Sequence, residues 1–214
     1  MRIANVCCVL AMVACGHQRE QDPALGSGFV DHFDRAELGS NYRNTGGPYR
    51  IADGKLVFAH AHNQPLWLKR RLPHDVRIEL DAMSRSSEGD LKVEAFGDGY
   101  RHESEQAVKQ DLIYTASGYV FIFGGWRNTH SALVRQNEHA WQRDPALPQR
   151  TSPRVEPGRT YHWVIERRGN HLDWTIDGAP FLSWDDPEPL DGDHFAFDGW
   201  DTECVFDNLS ITPL

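Results

Sequence analysis

The chain reads as an all-β protein, on three observations. Short runs of alternating apolar and polar residues recur from Phe29 to the C-terminus, Gly, Asp, Asn and Pro separate them, and no stretch has the apolar spacing of a long helix. The 18 Gly and 12 Pro supply turns, while 10 Phe, 7 Trp and 6 Tyr supply the bulk for a filled core. With 31 Asp+Glu against 22 Lys+Arg, the formal net charge of −9 argues against a nucleic-acid scaffold, since Arg167-Arg168 and Lys69-Arg70-Arg71 are only local basic spots.

The first fourteen residues carry one positive charge at Arg2 and an apolar stretch from Val6 to Val13, ending on small Ala14 before Cys15. The run Met12-Val13-Ala14-Cys15 resembles a bacterial lipoprotein signal. That resemblance implies cleavage after Ala14, acylation of the Cys15 thiol with palmitate-like chains, and a membrane anchor; Gly16 in place of Asp after the cysteine implies the outer membrane. Cys7 and Cys8 leave with the leader. Cys204 is then the lone free thiol, and its setting in ECVFDNLSI reads as a small buried hydrophobe, with no disulfide framework. Residues 15–28, the lipidated cysteine and the polar GHQREQDPALGSG, have no usable period and read as a flexible tether, leaving 29–214 as the folded domain.

Within 29–214 the alternation predicts strands at 29–33, 49–52, 55–60, 66–71, 76–83, 90–97, 110–115, 118–124, 131–136, 160–168, 171–176, 179–184, 194–199 and 203–212. The clearest unit is YHWVIERRGNHLDWTIDGAPFLSW. Tyr161, Trp163 and Ile165 share one face, Leu172, Trp174 and Ile176 another, and Gly169-Asn170 and Asp177-Gly178 make the turns of a three-stranded meander that presents its tryptophans to a core or to a ligand-facing sheet, the structural role being the favoured one. In RIELDAMS, Val76, Ile78, Leu80 and Ala82 alternate with Arg77, Glu79, Asp81 and Met83, and LKVEAFG repeats the pattern with Lys92 and Glu94 opposite Val93. Paired across SRSSEG, these two strands would join their charged faces into one solvated lawn. The opening FVDHFDR and the closing VFDNLSITP look like terminal strands lying side by side.

The turn pattern, with Asp53-Gly54-Lys55-Leu56, Ile176-Asp177-Gly178 and Phe206-Asp207-Asn208-Leu209 in that order, resembles the concanavalin-A-like lectin/glucanase superfamily. The resemblance covers about residues 29–214 and implies a jelly-roll β-sandwich of two curved antiparallel sheets, with a ligand on the concave one. It offers three functions: a non-catalytic carbohydrate-binding module, a glycoside or keto-sugar hydrolase, and an envelope scaffold binding another protein. One hydrolase branch carries E-x-D-x-x-E on a strand. Glu79 and Asp81 match its first two acids, Ser84 stands where the third belongs, and Glu94 or Glu138 would have to complete a carboxylate pair.

For sugar binding, FIFGGWRNTHSALVRQNEHAWQRD is the richest segment. Indoles stack on the C–H face of a pyranose and polar groups satisfy its hydroxyls, so Trp126 and Trp141 are the platform candidates, with Arg127, Asn128, Arg135 and Glu138 beside them; Trp67, Trp184 and Trp200 come next. The proline-rich stretch 143–159 reads as a long surface connection that could border a cleft. No cofactor is required, although Asp191, Asp193 and Asp201 have the oxygen chemistry of a calcium site. His60 and His62, two residues apart, would form two arms of a zinc site that needs further ligands. The expected partners are a polysaccharide or oligosaccharide and, through the anchor, a membrane.

Overall fold

The computed structural model describes residues 21–101 and 115–214, so the Cys15 lipidation signal and most of the strand predicted at 110–115 lie outside the described residues. In chain order the strands begin β1 (Phe29–Asp31), β2 (Tyr42–Asn44), β3 (Arg50–Ala52), β4 (Lys55–Phe58) and β5 (Leu66–Leu68). They continue with β6 (Val76–Ser84), β7 (Leu91–Gly97), β8 (Thr115–Gly124), β9 (His130–Asn137) and β10 (Gln149–Arg150). The last five are β11 (Thr160–Arg168), β12 (His171–Ile176), β13 (Ala179–Asp185), β14 (His194–Asp198) and β15 (Cys204–Pro213). One sheet has the order β13-β12-β11-β6-β15-β4-β3 with β1 also on β15, and the other has the order β10-β9-β8-β7-β14-β5-β2. The architecture is an all-β, two-sheet antiparallel sandwich of the jelly-roll type.

The meander forms as the alternation requires. Trp163 pairs with Ile176 and Ile165 with Trp174 across β11 and β12, and β13 follows on β12. Asp177 and Gly178 both take positive φ (52° and 75°), the left-handed pair a tight two-residue hairpin demands. Trp163 and Trp174 are buried between the sheets with ring centroids 4.6 Å apart, each side chain of this size contributing about 1.5–3 kcal/mol by leaving water. The terminal strands also meet, Val30 opposite Ser210.

Three expectations are corrected. The strands β6 and β7 do not form a hairpin: β6 lies between β11 and β15, and β7 between β8 and β14. Their apolar faces, Ile78 and Leu80 on one and Leu91 and Val93 on the other, bury against the same core from opposite sides. Packing face to face removes more apolar surface than a side-by-side pair with its charges together. Second, the folded body starts before Phe29. Asp22 pairs with Arg43, Leu25 N donates to Arg71 O at 2.9 Å, and Leu25 is buried, so the predicted tether is docked from residue 22 onward. Third, β2 and β10 were not predicted, being edge strands of three and two residues that contain no period to read.

Candidate functional site

The two sheets have very different outer faces. On the first, Arg77 donates to Glu79 (2.8 Å) and Glu166 (2.6 Å), His162 lies 2.9 Å from Asp81, and Asn208 donates to Asp81 at 2.8 Å. The Arg77 hydrogen bond leads the effects that hold Glu79 below the usual carboxylate range. This is a lawn of mutually satisfied, half-exposed ion pairs, of the kind that contributes little to stability. A shallow depression on it is lined by Arg77, Glu166, Asp173, Thr175 and Ser183.

The outer face of the second sheet is largely covered. Its register sets two rows across the strands: Val134, Val120, Glu94, Ala196 and Trp67 in one, Ala132, Ile122, Lys92 and Asp198 in the other. On β8 and β9 the rows are apolar. Ala116, Val120, Ile122, Ala132 and Val134 form a second small core, covered by Trp126, Trp141 and Leu147. On β7 and β14 the same rows turn ionic. Lys92, Glu94 and Asp198 are almost completely buried there, in contrast to the charges of the first sheet.

Two loops complete the ionic half. Asn63, after β4, and Glu138, after β9, both reach Lys92: Nζ donates to Glu138 Oε2 at 2.9 Å and to Asn63 Oδ1, while Asn63 Nδ2 donates to Glu138 Oε1 at 3.2 Å. Asp198 Oδ2 lies 3.9 Å from Nζ with no hydrogen-bond partner, and Asp198 Oδ1 accepts from Gly199 N. Burial pushes both carboxyls up, but the Lys92 ammonium and the neighbouring His139 together override it at Glu138, which falls to about 2. At Asp198 burial wins and the value rises to about 8. Burial disfavours the Lys92 ammonium, but the carboxylates around it, Glu138 first, outweigh that cost and hold it charged. Glu94 is otherwise engaged, its Oε1 accepting from Ser117 N, Ser117 Oγ and Gly118 N at the irregular start of β8.

At the rim, Trp126 and Trp141 meet edge to face with centroids 4.8 Å apart, His130 stacks on Trp141 at 4.2 Å, and Trp126 Nε1 is 3.4 Å from His139 Nδ1. Both indoles are half-buried. Trp126 sits in a turn at Gly125–Asn128 whose residues Trp126, Arg127 and Asn128 all have positive φ, leaving Arg127 exposed. Asn128 holds that turn down: its amide donates to Ser87 O and Val155 O and its oxygen accepts from Val155 N. The polar atoms of Asn128 are therefore occupied. Arg135 points to the other side of β9, beside inward-facing Leu133, and pairs with buried Asp186.

The sequence-predicted residues thus divide. Trp126, Trp141 and Glu138 share one region; Asn128 and Arg135 bind their own chain; Glu79 and Asp81 lie on the far side of the sandwich from Glu94 and Glu138, across two sheets that stack about 10 Å apart. No carboxylate pair joins the two sets. Of the secondary tryptophans, Trp67 is fully buried, Trp184 is half-buried against Tyr119, and Trp200 is exposed. The acids proposed for calcium do not converge. Asp193 pairs with His194 and Arg71 before β14, whereas Asp201 follows it, and the strand holds the two apart. Among the described residues one group of three could hold a metal ion, His60, His62 and Asp201, and it is not specific to calcium. Buried Cys204 is the small hydrophobe expected, its thiol pushed up to about 12 by burial. Lys92 was missed as a site residue. Its signal was present, a lysine and Glu94 alternating with Val93 on one short strand, but nothing in the sequence says that this face is covered.

The fold is shared with solved structures of low sequence identity. A Bacillus subtilis protein described as having a galectin-like fold superposes with a TM-score of 0.64 at 13% identity, covering 88% of this chain and 96% of that one. The carbohydrate-binding module CBM66 from Bacillus subtilis gives 0.59 at 12% identity, over 82% and 97%. A β-1,3-1,4-glucanase (lichenase) from a mouse hindgut metagenome gives 0.55 at 9% identity, over 88% and 100%. No curated protein matches the chain. The family model described as "Farnesoic acid 0-methyl transferase" matches residues 103–210, just over half of the chain, which makes this protein a member of that family.

Proposed function

We propose that this protein is a non-catalytic carbohydrate-binding module, carried at the outer membrane on an acylated Cys15 once the leader of residues 1–14 is removed. The observation that carries the reading is the half-buried Trp126–Trp141 pair beside Glu138 and His139, on a sheet face that combines an apolar half with an ionic half. An indole edge and face suit the C–H surface of a sugar ring, and the exposed Arg127 on the same turn as Trp126 suits its hydroxyls. The likeness to a carbohydrate-binding module supports the same use of the fold. The family description points instead to methyl transfer. Among the described residues all strand pairs between named strands are antiparallel, unlike the parallel strand and helix crevice that holds nucleotide cofactors in doubly wound folds, so the sugar reading is favoured.

A hydrolytic reading has one observation behind it. Glu138, ionised, and Asp198, held protonated, flank Lys92 with the opposed states of an acid–base pair. Asp198 is fully buried behind Lys92, however, and a glycosidic oxygen would reach it only by displacing that lysine. That burial supports the reading of binding without cleavage.

The test is a glycan array and polysaccharide pull-down with the full-length chain. Retention of at least one glycan is expected, weakened at least about tenfold, or ~1.4 kcal/mol, in Trp126→Ala and Trp141→Ala. A folded chain that retains no glycan, or variants that bind like the parent, would refute the module. Release of reducing sugar abolished by Glu138→Gln would favour hydrolysis. For the anchor, metabolic labelling with a palmitate analogue should mark the parent and leave Cys15→Ser unmarked.

A further inference from the structure

The loop after β4 contains three non-glycine residues in the left-handed region within four positions: His60 (φ 57°), His62 (φ 50°) and Asn63 (φ 54°). Such a backbone costs free energy and persists only where its surroundings determine it. Here they do. His62 N donates to Trp200 O and Asn63 N to Gly199 O, both at 3.0 Å, and the Asn63 side chain is clamped between Lys92 and Glu138. The loop is thereby fastened to the turn between β14 and β15, which carries Asp201. His60 Nδ1 comes to 2.5 Å and His62 Nε2 to 3.2 Å from the same oxygen, Asp201 Oδ1, and the three ligating atoms lie within 4.8 Å of one another. The indole of Trp200 packs against the His62 ring at 4.9 Å.

We propose that His60 Nδ1, His62 Nε2 and an Asp201 carboxylate oxygen form a binding site for a zinc-class divalent cation, with the remaining coordination positions open to solvent. Two imidazoles with one carboxylate suit zinc, cobalt or nickel; calcium and magnesium take all-oxygen shells. Three protein ligands with an open fourth position match the ligand count of zinc sites that accept an exogenous ligand. Bond lengths of about 2.0–2.2 Å place tetrahedral ligands ~3.3 Å apart, so Asp201 withdraws from His60 by less than ~1 Å on binding. His60 and Asp201 are 67% and 60% exposed, so the solvent-facing side chains can make that movement while Trp200 holds the His62 ring. No lysine or arginine competes for Asp201 among the described residues; its ion pairs are with the two histidines. The site stands at the rim of the ionic half of the second sheet, joined to it through Asn63, and does not depend on what that face binds.

The chain has other potential ligands in its 11 His and 4 Cys, so the readout must report ligand type. Cobalt(II) titrated into the untagged full-length chain is expected to develop d–d absorption at one equivalent without a thiolate charge-transfer band. Zinc should displace it and a hundredfold excess of calcium should not. His60→Ala and Asp201→Asn should each weaken cobalt binding by at least about tenfold. Because both residues are exposed, the metal-free variants should melt with the parent, and only the parent's Tm should rise with zinc. Absence of the d–d signal, a thiolate band in its place, displacement by calcium, or variants that bind as the parent does would each overturn the site.

Discussion

Replacing Lys92 by methionine is expected to lower the unfolding free energy by about 3–5 kcal/mol, read from urea melts at neutral pH. Methionine retains most of the apolar stem and removes the ammonium. Glu138 then loses its 2.9 Å ion pair, Asn63 Oδ1 loses its donor, and Asp90 loses the cation that opposes its burial. The cost is large because the charges left behind are out of water, whereas a half-exposed pair such as Arg77–Glu166 would lose roughly 0.2–1 kcal/mol. The double variant Lys92→Met with Glu138→Gln should recover part of the loss, since an uncharged amide replaces the stranded carboxylate. A single-variant loss under ~1 kcal/mol would mean that water enters this face and that the cluster is not buried in solution.

Around Asp198, stability should depend on pH with a sign opposite to that of most carboxylates. Its folded value of about 8 lies above an unfolded value of about 3.9, so between these limits the folded state holds a proton that the unfolded state has released. The slope of stability against pH is then negative: this contribution is full below pH ~4 and is lost as the pH rises to about 8. Glu138 works the other way. Its folded value of about 2 lies below the unfolded ~4.3, so its contribution is present above that unfolded value and is lost as the pH falls through about 2. Together they favour a maximum near pH 4–5. Asp198→Asn should remove the falling limb, gaining on the parent steadily from pH 5 to 8 in paired urea melts. His171, raised chiefly by its hydrogen bond to Asp185, contributes equally in both proteins, so the difference isolates Asp198. A difference independent of pH would show that Asp198 ionises normally.

The local units of this fold were legible because their information is local. In the meander the period of two, the Gly169-Asn170 and Asp177-Gly178 turns and the position of Trp163 opposite Ile176 agree, and the terminal strands β1 and β15 were recognisable by the same alternation. The residues that carry the candidate sites were legible only as types. Asn128 and Arg135 looked like sugar ligands because their side chains can bind hydroxyls, but Val155 and Asp186 had already taken those groups from across the fold. Asp201 stood among several acids in sequence, yet its partners are His60 and His62, brought from about 140 positions away by the hydrogen bonds between two loops.

The fold class and the three-stranded meander are written in the order of the residues, since alternation and turn chemistry act between near neighbours, whereas the second sheet is what turns the faces of Trp163 and Trp174 into core. Alternation states that a strand has two faces; it does not state what lies over either. The assembled sandwich assigns β6 and β7 to different sheets, so that Glu79 stays at a solvated surface while Lys92, in the same kind of pattern, is enclosed by Asn63, Glu138 and Asp198. The reason is that pairing between distant strands is selected by the total apolar surface removed from water, a property of the whole sandwich.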